Sequence, residues 1–130
     1  QGGTTFGYAF SSGTSGNTTL TELRFPKLSA IKDYTSTASP TTSTSLMFHY
    51  ACRYRNNMNV YFPALTADSF AGTSYLAKIN TNVHPFYNMF NGGSNNTIHL
   101  PAAMQTASIG LTTFGSWILA GTNNKFVFDL

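Results

Sequence analysis

Catalysis by side chains needs an acid, a base or a nucleophile held close to a second such group, and this chain of 130 residues offers few. Its acids are Glu22, Asp33, Asp68 and Asp129, its histidines are His49, His84 and His99, and its one thiol is Cys52. A paired-carboxylate hydrolase would have to bring two of those four acids together across the fold, and nothing in their spacing points to it. The histidines show neither the His-x-His nor the His-x-x-x-His spacing that holds a metal. A lone cysteine excludes an intramolecular disulfide and any multi-cysteine zinc site; burial as a small hydrophobe is its expected fate. Serine is abundant, yet no Gly-x-Ser-x-Gly elbow occurs, and the glycine loops at 12–17 and 92–96 are not followed by Gly-Lys-Ser/Thr. The expectation is a protein without catalytic residues, cofactor or metal.

The densest chemistry lies in "YACRYRNNMNVYF", residues 50–62, which combines aromatic rings with Arg53 and Arg55. Exposed rings beside cations make a base-stacking platform. Alternation, however, places Phe48, Tyr50, Cys52 and Tyr54 on one face and His49, Ala51, Arg53 and Arg55 on the other, which sends the tyrosines inward. Arg53 and Arg55 remain as candidates for contact with nucleic acid, with a partner carbonyl or with a salt-bridging acid. A second aromatic stretch, "FYNMFNGGSNN" at 86–96, is a candidate sugar platform with neutral hydrogen-bonding neighbours.

The elements that would carry these residues follow from composition and punctuation. Charged residues make up only 8% of the chain, against roughly 25% in an average soluble domain. Ser, Thr and Asn, 44 residues in all, take over solvation. Such a surface loses little on burial against a copy of itself, so it suits assembly. The net charge of +3 is scattered over Arg24, Lys27, Lys32, Arg53, Arg55, Lys78 and Lys125, not gathered into a phosphate-gripping tract. The first residues lack the pattern of a signal peptide, an initial Gln suggests a trimmed chain, and no apolar run is long enough to span a membrane.

Eight strand candidates stand between turn-formers: 5–10, 18–25, 45–55, 60–65, 75–84, 97–100, 108–119 and 125–130. Matching the apolar faces of 46–55 and 60–65 predicts a hairpin with 54 opposite 60 and Asn56, Asn57 and Met58 in its loop; one long strand bent by a bulge near Asn57 is the alternative. Helix is expected at most at 25–34 and 101–107. The segment 35–45 reads as a long loop, since a cut there would leave a piece too small to fold alone. The predicted fold is mainly β: one domain, 1–130, forming a two-sheet antiparallel sandwich of jelly-roll type with one or two short helices.

The order of motifs resembles the jelly-roll coat proteins of picorna-like positive-strand RNA viruses. "FHYACRYRNNMNVYF" at 48–62 is similar to that group's "FxYYRGxMxxxF" segment, with Asn56 where Gly is favoured; "VHPFYNMF" at 83–90 resembles its "VPFY" stretch, and "GTNNKFVFDL" at 121–130 its last aromatic strand. The resemblance implies a virion protein, a self-assembling coat subunit without catalytic residues. The alternatives are a lectin-like sandwich or an extracellular filament subunit. Subunit contacts are expected at Tyr61, Phe86, Tyr87, Phe90, Phe126 and Phe128. Partners would be copies of the chain or related subunits, with packaged RNA touched by Arg53 and Arg55 and no insertion into membranes.

Overall fold

A computed structural model describes residues 6–30, 47–66, 69, 86–105 and 119–130. Four short strands appear in it: β1 (Glu22–Arg24), β2 (Asn59–Tyr61), β3 (Thr97–Leu100) and β4 (Lys125–Phe128). They form one sheet in the order β1-β2-β3-β4, and every pair is parallel. Glu22, Asn59, Thr97 and Lys125 share one register row, so the chain returns to the same place in the sheet after 37, 38 and 28 residues. Sequential parallel neighbours in constant register are coils of a solenoid, each stacked on the one before.

This corrects the antiparallel two-sheet sandwich. The error began at 47–54, where spacing was read as a strand of period two. The backbone there is a run of turns, with Ala51 N–H donating to the Phe48 carbonyl (2.9 Å), Arg53 to Tyr50 (3.2 Å) and Arg55 to Cys52 (3.2 Å). Tyr50 and Tyr54 have positive φ, 56° and 63°, which a strand does not accommodate. Phe48, Ala51 and Cys52 are fully buried, while Tyr50 and Tyr54 are only half-buried. The hairpin is absent as well, because β2 pairs with β1 on one edge and β3 on the other. Candidate 5–10 is likewise turns over its described part. The candidates at 97–100 and 125–130 became β3 and β4; 18–25 contains β1, and 60–65 overlaps β2. The candidate at 75–84, the loop at 35–45 and all of the candidate at 108–119 except Leu119 lie outside the described residues. A 3₁₀ turn at Ala102–Met104 follows Pro101, and 25–30 is not helical.

The first three coils repeat the same turn. Phe6, Phe48 and Phe86 each accept from the residue three further on (Ala9, Ala51, Met89). Tyr8, Tyr50 and Asn88, two residues into each turn, all have φ near 56–58°. Asn57, Asn95 and Asn123 mark the following corner with φ of 56–59°, a conformation Asn tolerates better than most residues. Backbone bonds run from coil to coil: Phe10 N–H to Ala51, Cys52 to Met89, and Phe90 to Leu119. Gly93 sits where the coils come closest, and an added Cβ would overlap the Arg55 carbonyl oxygen.

The core is a set of columns running through the stack. Val60, Ile98 and Phe126 form one row, Phe62, Leu100 and Phe128 the next, and all are buried. Phe6, Phe48 and Phe86 stack at 5.1 and 5.4 Å between centroids, and Phe25 stacks on Phe62 at 5.0 Å. Beside them runs a buried polar column. Asn96 Oδ1 accepts the Met58 N–H, Asn124 Oδ1 accepts both the N–H and the side-chain amide of Asn96, and Asn124 Nδ2 donates to the carbonyls of Gly93 and Ala120. Corner groups that cannot join the ladder are satisfied this way.

Asn124→Ala removes four hydrogen bonds and orphans the buried Asn96 N–H, while the Gly93 carbonyl keeps the Thr122 N–H, the Asn96 amide keeps the Arg55 carbonyl, and the half-buried Ala120 carbonyl loses its Asn124 donor. It is expected to cost about 2–4 kcal/mol in urea unfolding, from roughly 1–3 kcal/mol for the orphaned N–H and about 1 kcal/mol for the other bonds lost. Lys125→Ala, one residue away and exposed, should stay within about 0.5 kcal/mol.

Candidate functional site

Two surfaces carry the chain's chemistry. The first is the outer face of the sheet, where side chains of alternate strand positions stand in rows. Arg24 lies over the Tyr61 ring at 4.2 Å, and Tyr61 stacks on His99 at 4.3 Å with planes 11° apart. His99 is held by Asp129 through Nδ1 at 2.9 Å and by Asn59 through Nε2 at 2.9 Å. Glu22 pairs with Arg24. In-register strands produce this column directly, since equivalent positions of neighbouring coils face the same way.

The second surface is built by the turns. Tyr50 meets Tyr8 at 5.3 Å and His49 at 3.9 Å, and His49 faces Tyr87 at 5.8 Å with planes 16° apart. Arg53 lies beneath this row, its Cζ 4.3 Å from the Tyr54 ring centre and 5.5 Å from that of Tyr50, with Nη2 donating to the Tyr54 hydroxyl. Its Nε is buried and has no hydrogen-bond partner. Burial lowers the pKa of His49.

The residues expected to meet partner subunits are divided by the fold. Phe86, Phe90, Phe126 and Phe128 lie in the interior with at most 9% of their surface accessible, whereas Tyr61 and Tyr87 keep accessible surface on the sheet face and the turn face. The two arginines, expected side by side on one strand face, are also parted. Arg55 clips the first coil to the second: Nε donates to the Phe10 carbonyl (2.9 Å), Nη2 to Ser11 (3.3 Å) and Nη1 to Asn17 Oδ1 and Thr19 Oγ1. Arg53 belongs to the turn face. Cys52 is wholly buried, and desolvation pushes its thiol up to about 12. His84, Asp33 and Asp68 lie outside the described residues, and among the described residues no three His, Cys, Asp or Glu side chains converge on a possible metal position. No described helix is long and apolar enough to cross a membrane.

Of the sheet-face column, Tyr61 is expected from the sequence as a contact residue, whereas its grouping with Arg24, His99 and Asp129, and the buried pair Asn96 and Asn124, is not. The signal that reveals them is the internal repeat: "FHYACRYRNNMNVYFP", "FYNMFNGGSNNTIHLP" and "AGTNNKFVFDL" align when offset by 38 and 28 residues, with aromatic or apolar residues and asparagines in corresponding places. Compared with known proteins, the chain matches no family model, no curated protein and no solved structure.

Two outcomes test this geometry. The Cys52 thiol should resist a neutral aromatic disulfide reagent in native buffer and react fully in denaturant; native reactivity would place it at the surface. His49 has a lowered folded pKa, so its contribution to stability is complete above its unfolded value near 6.5 and is lost as pH falls through the folded value. His49→Gln should therefore flatten the fall of the melting temperature below pH 6.5.

Proposed function

We propose that the chain is a non-catalytic structural module that self-associates by stacking a further coil onto its first one. The observation that carries this reading is the state of that coil. Phe6, Phe10, Leu20, Leu23, Phe25 and Leu28 pack against the core but are only partly buried. Val60, Ile98 and Phe126, the counterparts of Leu23 in later coils, and Phe48 and Phe86, those of Phe6, have at most 1% of their surface accessible. Among the described residues no strand pairs with the outer edge of β1. Partial cover of six large apolar side chains beside an unpaired strand edge is unfavourable in water, and another coil supplies both missing partners.

The occupant is a second copy of the chain. The interfaces between its own coils already show that surfaces of this sequence pack coil on coil, and the near absence of charge keeps the desolvation cost of such contact low. The polar groups that elsewhere perform catalysis are engaged in architecture: Arg55 in clipping coils, Asn96 and Asn124 in filling corners, and His99 in bracing the sheet face. A coat role is one form of this assembly and a filament is another. A symmetric pairing of two first coils closes at a dimer, whereas a head-to-tail contact propagates.

Size-exclusion chromatography with light scattering, followed by negative-stain microscopy, tests the proposal. Dimers or higher species are expected at micromolar concentration, dissociating in Leu23→Lys while the circular dichroism of the variant stays native. A 14.1 kDa monomer for the unmodified chain would overturn it.

A further inference from the structure

We propose that the turn face formed by Tyr8, His49, Tyr50, Tyr87 and Arg53 is a binding site for an anionic polysaccharide. Four rings from three successive turns make one continuous row, with neighbouring centroids 3.9–5.8 Å apart. Tyr8, at 53% accessibility, is the exposed large aromatic at one end. Buried core rings exclude water; a half-exposed row of hydroxylated rings offers stacking surface to a ligand. The C–H face of a pyranose carries the positive edge that the π face attracts, and its hydroxyls need neutral hydrogen-bonding partners nearby. Ser11, Asn88 and Asn91 belong to the same turns, and the Ser11 hydroxyl donates to the Tyr8 carbonyl.

Arg53 sets the charge of the ligand. Of the acids in the described residues, Glu22 is engaged by Arg24 and Asp129 by His99, and neither reaches Arg53. Arg24 is ion-paired with Glu22 and Arg55 donates to four oxygen acceptors, whereas Arg53 meets no carboxylate among the described residues and leaves its buried Nε unpaired. An orphaned buried N–H is costly, and a carboxylate or sulfate reaching the guanidinium fork relieves that cost by drawing the group outward. His49, whose charged form is disfavoured by burial, serves as a neutral plane in the row.

The extent of the ligand follows from the repeat. Because equivalent turns are stacked, the row runs along the axis of the coils, and a linear polymer of similar units can follow it where an isolated small anion would touch Arg53 alone. A nucleic acid also stacks on rings, but it is gripped through several phosphates, and among the described residues this face presents one cation, Arg53. Tyr8 stands on the first coil between Phe6 and Phe10, at the edge of the proposed stacking contact, while His49, Tyr50, Arg53 and Tyr87 stand on the next two turns.

Affinity electrophoresis in native gels containing polygalacturonate, dextran sulfate, neutral dextran or poly-dT tests the proposal. Retardation is expected with one or both anionic polysaccharides. The carboxylate and sulfate gels distinguish which anion is preferred. Tyr8→Ala, at an exposed position, and Arg53→Gln should each weaken binding at least about tenfold, with native circular dichroism. Absence of retardation by both anionic polymers would overturn the proposal, as would equal retardation by neutral dextran or by poly-dT, or binding unchanged in Tyr8→Ala.

Discussion

Each backbone N–H that points along the coil axis must find its carbonyl in the neighbouring coil. That one requirement governs both the strands and the turns. It fixes the register rows of β1 to β4, and it continues past them in the bonds from Phe10 to Ala51, Cys52 to Met89 and Phe90 to Leu119. Once the backbones are held in register, like side chains stack on like: phenylalanines in the interior, asparagines at the corners, and Arg24, Tyr61 and His99 on the sheet face. The left-handed residues at equivalent corners are part of the same constraint, because a coil can turn only where its neighbours do.

This explains why some elements were legible in the sequence and others were not. β3 and β4 alternate buried and accessible residues over four positions, so simple period two found them. Residues 48–54 also alternate by type, but their burial follows the turn geometry, with adjacent Ala51 and Cys52 both interior. Periodicity within a segment cannot distinguish these cases. Periodicity between segments can: the asparagine-rich corner followed by an apolar strand recurs at 56–62, 94–100 and 122–128, and this recurrence signals stacked parallel coils.

The candidate surfaces were legible in residue type more than in position. Aromatic density and scarce charge point to 48–62 and 86–96, but four of the six rings expected to meet partners are core. Arg53 and Arg55 look equivalent as neighbours on a strand. In a turn they diverge, one toward the carbonyls of the first coil and the other beneath a row of tyrosines. Composition records that the surface is nearly uncharged; only the path of the chain shows that Arg24 has an acid beside it, that Arg55 has neutral oxygens, and that Arg53 is left with a buried, unpaired Nε.

The central claim is that coils stack in parallel register, and cysteine pairing tests it directly. In a Cys52→Ala background, Asn59→Cys with Thr97→Cys occupies neighbouring positions on the outer face of β2 and β3, and air oxidation should join them in the folded monomer. Tyr54→Cys with Val60→Cys occupies positions that an antiparallel hairpin would place opposite one another, and it should remain reduced. A disulfide in the second pair and none in the first would contradict the parallel stack.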